Sequence, residues 1–285
     1  MSQTAPRGRF IRSGKVKDIY DLGDDLLLFH FTDRVSAFDV ILPSLIPHKG
    51  SVLCKLTAYW FETLGVAHHM ISLEGPNMMV VKKLSMIPVE CVVRGYLYGS
   101  LFERAMLGEV SLPVDKVQAA KLPEPIFDPT TKSDVKDVFI SETQIVREGR
   151  MTEAELSEVK RSTIAVYEKM SEAAQGAGFI LADLKLEFGR DENRTIVLGD
   201  SIGPDEFRLW PASEYKPGRP QASYDKQPIR DWLSAVGYRT KLEAFRKQGL
   251  DVPSPPPLPP ELVAETSKRY VEAYERLTRR KLEVG

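Results

Sequence analysis

At 285 residues, 42% hydrophobic and 28% charged, the chain is long enough for one large or two modest domains and is neither disordered nor fibrous in composition. A net charge of -1 gives no reason to expect nucleic acid or an anionic membrane as a partner. Two distant cysteines, Cys54 and Cys91, no apolar core in MSQTAPRGRFIRSGK and no run of membrane-spanning length predict a cytoplasmic protein without a disulfide framework.

Residues Phe10 to Phe31 predict two strands joined at Gly23-Asp24-Asp25, with Gly14-Lys15-Val16-Lys17 inside the first. A P-loop needs its glycines opening a helix, so this segment is not one. A hairpin laid across nucleotide phosphates would use Lys15 and Lys17, and so, more plainly, would two solvated surface lysines. TDRVSAFD, Thr32 to Asp39, reads as a polar loop around a buried aromatic. Pro43, Pro47 and Gly50 mark turns, after which Ser51 is expected to cap a helix to about Leu64 with Leu53, Leu56, Tyr59, Trp60 and Leu64 at helical spacing. His68-His69 has no partner at metal-ligand spacing and is read as loop surface or a packed helix end.

The strands MMVVKKL and VECVVRGYL flank Met86-Ile87-Pro88, and the proline suggests a crossover between a domain of residues 1–87 and one of 88–285. Lys82 and Glu90 then lie near the cleft. The segment Arg94 to Ser100 ends in Gly-Ser and enters a short helix. Arg94, the Ser100 hydroxyl and helix N–H groups would make an anion pocket; a serine N-cap beside a surface arginine is the plainer alternative. Pro113 to Ser141 is rich in turn formers and reads as a long loop of the kind that closes over a site. Thr152 and Glu155 form a capping box opening a helix whose buried stripe is Leu156, Val159, Thr163, Val166, Tyr167, Met170 and Ala174, stopped by Gly176 and Gly178.

The chain turns on Gly178 to Asp200. As a strand with period two, it points Asp183, Lys185 and Glu187 one way and Ile180, Ala182, Leu184, Leu186 and Phe188 the other. Pairing Gly189 with Arg194 across a polar turn sets Asp200 opposite Asp183, so that three carboxylates and a lysine crowd one patch. Carboxylates that close repel, and hard oxygen ligands suit Mg²⁺ completing its shell with nucleotide phosphates. A solvated strand face has the same alternation. Arg208 would rim the patch. Gln227 to Val236 reads as a short helix, Pro253 to Pro260 as a stiff spacer, and Glu261 to about Leu282 as a last helix with Val263, Tyr270, Tyr274 and Leu277 on its stripe.

Two stretches make the chain resemble the SAICAR synthetase family: MIPVECVVR through Gly99-Ser100, and LADLKLEFG from Leu181 to Gly189. GKVKDIY, DRVSAFDV, TTKSD and GPD before RLWP follow in the family's order and cover nearly the whole chain. The resemblance implies two α+β domains with ATP between them, distantly similar to kinases and ATP-grasp ligases. It implies ATP-dependent ligation of L-aspartate to the carboxylate of carboxyaminoimidazole ribotide, through an acyl phosphate, giving SAICAR, ADP and phosphate in purine biosynthesis. Carried over by position, Lys15 and Lys17 would touch ATP phosphates, Lys82 and Glu90 would lie at the nucleotide side, and Lys185 would sit close to the nucleotide. Glu187 and Asp200 would hold Mg²⁺. Arg94, Ser100 and Arg208 would hold the ribotide phosphate and carboxylates, Lys132 would belong to the closing loop, and Asp39 would join the substrate site. Lys17, Lys185, Arg94 and Arg208 would carry the catalysis by neutralising charge. Self-association is left open. Tyr98, Lys136, Val138, Ser201, Glu206 and Phe207 depart from the family pattern and bear on loop closure and on the acids that reach the metal. The alternatives are a kinase-like phosphotransferase, for which no HRD-type segment is present, and a non-catalytic nucleotide-binding module.

Overall fold

The glycine at position 14 breaks the first expected strand in two. In the computed structural model, which describes residues 5–132 and 137–283, β1 (Arg9–Ser13) and β2 (Lys17–Gly23) pair antiparallel. The Gly14 N–H donates to the Lys17 carbonyl at 2.7 Å, closing a turn where a continuous strand was expected. β3 (Leu26–Phe31) returns from the Gly23-Asp24-Asp25 turn, where φ is 79°, 50° and 54°. β4 (Arg34–Ala37) and β5 (Val40–Leu45) form a separate ribbon turned through Phe38 and Asp39.

α1 (Lys49–Thr63) begins before Ser51, because the Asp33 carboxylate accepts the Gly50 N–H at 2.9 Å and so does the capping from the preceding loop. β6 (Met70–Leu73) and β7 (Met78–Lys82) complete a five-stranded sheet in the order β1-β2-β3-β7-β6. β8 (Ser85–Tyr96) runs straight through Pro88, which was expected to separate two strands. The proline is tolerated because the pairing with its neighbour slips there, between Met86 and Glu90, and no ladder bond is asked of its missing N–H.

α2 (Gly99–Met106) follows, and then β9 (Lys121–Phe127) and β10 (Thr130–Thr131) lie inside the stretch expected to be a long loop. α3 (Glu142–Arg147) precedes α4 (Glu153–Gly176), which has the expected Thr152–Glu155 capping box and the expected buried stripe from Leu156 to Ala174. β11 (Phe179–Arg190), β12 (Ile196–Gly199) and β13 (Phe207–Pro211) come next, and the second sheet runs β10-β8-β11-β12, with β9 on β8 and β13 on β11. α5 (Gln227–Ala235), α6 (Tyr238–Lys247) and α7 (Pro260–Thr278) end the chain. Among the described residues no helix is long and apolar enough to cross a membrane.

The chain divides into two units that are discontinuous in sequence, unlike the contiguous halves 1–87 and 88–285 expected above. One contains Met1–Leu56, Ile71–Val81 and Tyr224–Gly285; the other contains Thr57–Met70 and Lys82–Ser223. Apolar burial explains the first grouping: Val35, Ala37, Leu42 and Ile46 share a core cluster with Ile229, Leu233, Tyr238, Leu242 and Leu258. The proline run is stitched into that unit. Tyr238 OH donates to the Pro253 carbonyl at 2.8 Å, and the Leu258 N–H donates to Ser44 Oγ at 2.8 Å.

In the second unit α4 packs on β8 and β11. The approach is closest at Gly95, where a Cβ would stand 1.8 Å from the Tyr167 hydroxyl. That hydroxyl is buried and donates to the Leu181 carbonyl at 2.8 Å, so it has no free direction in which to yield. Gly95→Ala is therefore expected to destabilise the protein by about 3 kcal/mol, as overpacking of a filled core does. Chemical denaturation would measure it, and a loss within experimental error would mean the helix can move away from the sheet.

Candidate active site

Strand pairing assembles the polar face of the second unit. Arg94 lies opposite Asp183, Val92 opposite Lys185, and Glu90 opposite Glu187, so period two turns all of them to the same side of β8 and β11. The other side of β11 is buried too: Leu184 and Leu186 are at most 1% exposed, while Asp183 and Glu187 are 6% and 4% exposed. This is no solvated strand face. Carboxylates taken from water on this scale require partners, and two groups of partners are present.

The first group is built of arginines. Arg94 Nε donates to Asp128 at 2.5 Å, its Nη2 donates to Ser100 Oγ at 2.8 Å, and its Nη1 stands 3.6 Å from Asp183. Arg208, on β13, pairs with Asp183 both as strand neighbour and as ion pair, and its guanidinium lies 5.6 Å from the centre of the Tyr98 ring. Arg104, on α2, binds the second oxygen of Asp128 and lies 4.3 Å from the Phe139 ring centre. Arg94, Arg104 and Arg208 thus face Asp128 and Asp183, which leaves a formal charge of +1 on the cluster. Ser100 is not the helix cap; Tyr98 holds that position and makes no side-chain cap. Gly99 has φ 58°, and a Cβ there would meet Arg208 Nη2 at 3.1 Å.

Arg94, Ser100 and Arg208 are therefore brought together as expected. Asp128 and Arg104 are additional members. Asp128 was hidden in a stretch of turn formers, whereas Arg104 carried a usable signal, four residues after Ser100 on a helix.

The second group is built of lysines. Lys185 Nζ is 2.8 Å from Glu187 and 3.1 Å from Glu90, bridging two carboxylates that stand directly opposite each other. Lys132 binds the other oxygen of Glu187, and Thr130 Oγ1 donates to Glu90 at 2.8 Å. Burial pushes the Glu187 carboxyl up, but the charges and hydrogen bonds of Lys185 and Lys132 prevail and bring it down to about 2. Burial pushes Lys185 down, and Glu187, Glu90 and Glu206 more than offset it, so its ammonium is held above the ordinary lysine value. The repulsion that the sequence suggested a cation would relieve is relieved here by ammonium groups.

Asp200 does not fall where expected. Gly189 pairs with Val197 and Glu187 with Gly199, a register three residues from the expected one. The cause is Asp191, whose carboxylate accepts the N–H groups of Asn193 and Thr195 at 2.9 and 2.8 Å, so that Asp191 to Thr195 form a wider turn with Arg194 at φ 63°. Asp183 consequently faces arginines rather than Asp200. Asp200 lies just past the partner of Glu187, at φ 56°, and its carbonyl meets His69 Nε2 at 3.1 Å. His69, read as loop surface or a packed helix end, is instead buried just before β6, and its backbone N–H donates to the Leu198 carbonyl at 3.1 Å. Among the described residues no three His, Cys, Asp or Glu side chains converge as a metal cage. The donor chemistry still fits Mg²⁺, which needs one or two carboxylates when phosphates supply the rest.

The departures in this unit pack locally. Ser201 Oγ donates to Glu206 at 3.5 Å, Glu206 also accepts the Gly203 N–H at 2.9 Å, and Phe207 is buried. Val138 N–H donates to Thr131 Oγ1 at 3.2 Å, and Lys136 lies outside the described residues. Lys82 has an exposed side chain, and its N–H donates to the His69 carbonyl at 2.8 Å. In the first unit, Lys15 Nζ lies 2.5 Å from Asp39, and Lys17 Nζ lies 4.7 and 5.5 Å from the Phe29 and Phe31 ring centres.

These groups occur in an order along the chain that a known family shares: the sequence model of SAICAR synthetase matches residues 10–245. The chain belongs to the SAICAR synthetase family. It is 48% identical over 275 residues to the phosphoribosylaminoimidazole-succinocarboxamide synthase of Nitrosopumilus maritimus, covering 96% of this chain and 99% of that one. It is 42% identical to the synthase of the same name from Thermobifida fusca, covering 94% and 90%. A solved SAICAR synthase from Saccharomyces cerevisiae, complexed with SAICAR, superposes with a TM-score of 0.82 at 34% identity over 98% of both chains. A SAICAR synthetase in complex with ADP gives 0.72 at 30% identity over 96% of this chain and 99% of that one. The α+β fold and the ligase class expected from the sequence are those of the SAICAR synthetases.

Proposed function

We propose that this SAICAR synthetase joins L-aspartate to the carboxylate of carboxyaminoimidazole ribotide at the expense of ATP, in the cytoplasm, as a step of purine biosynthesis. The observation that carries the reading is the single sheet face with an arginine pocket at Arg94, Ser100 and Arg208 and a lysine-bridged carboxylate pair at Glu187 and Glu90. The relatives' names, the SAICAR in the yeast structure and the ADP in the other support it.

A carboxylate is a poor acylating agent, so one of its oxygens first attacks the γ-phosphorus of ATP and ADP departs. The aspartate nitrogen then attacks the acyl carbon, the C–O bond breaks, phosphate leaves with that oxygen, and the nitrogen loses a proton. Anions meet at each step, and this chain's residues supply opposing charge and position rather than a nucleophile. Arg94, Arg208 and Ser100 hold the ribotide phosphate and the carboxylates of the substrates. Lys185 and Lys132 face the reacting phosphoryl oxygens, with Glu90 and Glu187 fixing where their ammonium groups stand. Glu187 and Asp200 would hold Mg²⁺, which when bound supplies further charge neutralisation at the phosphates. Lys15, Lys17 and Lys82 take nucleotide phosphates, and Asp39 acts through Lys15.

The test is turnover of purified protein with ATP, Mg²⁺, L-aspartate and the carboxylated ribotide, followed by the absorbance of the succinocarboxamide. Aspartate-dependent product is expected. ADP release without dependence on aspartate would mean a phosphotransferase, and nucleotide binding without turnover a binding module. Within that assay Lys17→Ala is expected to raise KM for ATP about tenfold, the loss of one charge-assisted phosphate contact. An unchanged KM would remove Lys17 from the nucleotide site.

A further inference from the structure

The turn that carries Lys15 and leads into Lys17 is held by its own set of bonds, all within the first unit. Three of the turn's carbonyls have a donor. The Gly14 carbonyl accepts from Arg34 Nη2 at 3.2 Å, the Val16 carbonyl accepts from Thr32 N–H and Thr32 Oγ1 at 2.9 Å each, and the Lys17 carbonyl accepts from Gly14 N–H at 2.7 Å. Arg34 is the centre of this set. Its two terminal nitrogens fork onto Asp18, Nη2 to Oδ1 at 2.7 Å and Nη1 to Oδ2 at 3.2 Å, and the same Nη2 reaches Gly14. Ser13 Oγ donates to the same Asp18 carboxylate at 2.6 Å. Period two puts Asp18 and Lys17 on opposite faces of β2, with His30 and Phe31 as their respective partners on β3. A clamp on Asp18 therefore fixes the strand from the face opposite Lys17.

The exposure of the pair also fits. Arg34 and Asp18 side chains are 23% and 15% exposed, against 50% for Lys15. Burial pushes the Asp18 carboxyl up, but its bonds to Arg34 and Ser13 prevail, and it is held below the usual carboxylate range, so the fork is fully charged at neutral pH. A guanidinium is suited to this place because it presents several donors in one plane; an ammonium is a point charge that cannot serve the carboxylate and the Gly14 carbonyl in the same geometry.

We infer that Arg34 is a positioning residue for nucleotide binding: by clamping Asp18 and the Gly14 carbonyl it sets the turn from which Lys15 and Lys17 present their ammonium groups. The inference rests on the proposed contact of these lysines with ATP phosphates. Arg34 itself touches no phosphate and acts only through the turn.

The experiment is steady-state kinetics on the full chain with ATP varied and aspartate and ribotide saturating, for wild type, Arg34→Lys, Asp18→Asn, Lys17→Ala and the Arg34→Lys/Lys17→Ala double variant. Arg34→Lys and Asp18→Asn should each raise KM for ATP about tenfold, the loss of one charge-assisted hydrogen bond, and leave kcat within about twofold. The double variant should be little worse than Lys17→Ala alone, because the two act as one unit. A purely structural clamp would lower the melting temperature and leave KM for ATP where it was, and that result overturns the inference. Full additivity in the double variant overturns it as well. If Lys17→Ala has no effect on KM, the nucleotide reading of the hairpin falls and this inference with it; an effect of Lys17→Ala without one of Arg34→Lys sinks the inference alone.

Discussion

Arg94→Lys is expected to lower kcat/KM for the ribotide about a hundredfold, with KM for ATP unchanged. The native guanidinium serves Asp128 through Nε, Ser100 through Nη2 and Asp183 through Nη1, and no ammonium can reach all of them. Charge is kept, so the buried carboxylates retain a counter-ion and the fold survives with a lower melting temperature. Planar presentation to an incoming phosphate is lost, together with the orientation of Ser100 and, through Asp183, of Arg208. Two charge-assisted hydrogen bonds misplaced correspond to about a hundredfold or more. The check is kinetics with the ribotide and ATP varied in turn. An equal rise in both KM values would mean that the substitution has disturbed the whole sheet rather than the anion pocket.

Glu187→Gln is expected to reduce kcat by about a hundred- to a thousandfold, the range seen when a preorganised electrostatic group is removed. The amide keeps the shape but cannot neutralise Lys132 and Lys185, so both ammonium groups lose the position that the carboxylate imposes on them. The same substitution carries a pH signature. The Glu187 carboxyl is depressed from 4.5 to about 2 in the folded protein, so its contribution to stability is present in full above pH 4.5 and fades as pH falls toward 2. Wild type should exceed the variant in stability at neutral pH, and the gap should narrow across that acid window. A gap that stayed constant down to pH 2 would show that the carboxylate's charge is not what holds the lysines.

Much of the frame was legible because its signals are local. The capping box at Thr152 and Glu155 and the stripe from Leu156 to Ala174 need only the period of a helix, and the face shared by Asp183, Lys185 and Glu187 needs only the period of a strand. Register was not legible, since it depends on Asp191 bonding two N–H groups beyond it and widening the turn, and that moved Asp200 away from Asp183. α6 escaped because only Tyr238 and Leu242 of its residues are buried, too sparse a stripe to see. The division into units depends on Leu258 and the helices near it packing with Val35 and Leu42, roughly two hundred residues earlier in the chain, which no window of sequence contains. In the site, the sequence motifs brought Arg94, Ser100 and Arg208 to one place, but Asp128 and Arg104, which complete the pocket, required the strand and helix to be built first.

The central claim is that this chain activates a carboxylate by phosphorylating it and then passes the acyl group to aspartate. The most direct measurement uses ribotide labelled with ¹⁸O in that carboxylate and reads the isotope in the phosphate released during turnover with ATP and L-aspartate. One labelled oxygen in each phosphate, appearing in step with the succinocarboxamide, is the predicted result. Succinocarboxamide formed with unlabelled phosphate, or labelled phosphate released without aspartate being joined, would contradict the account.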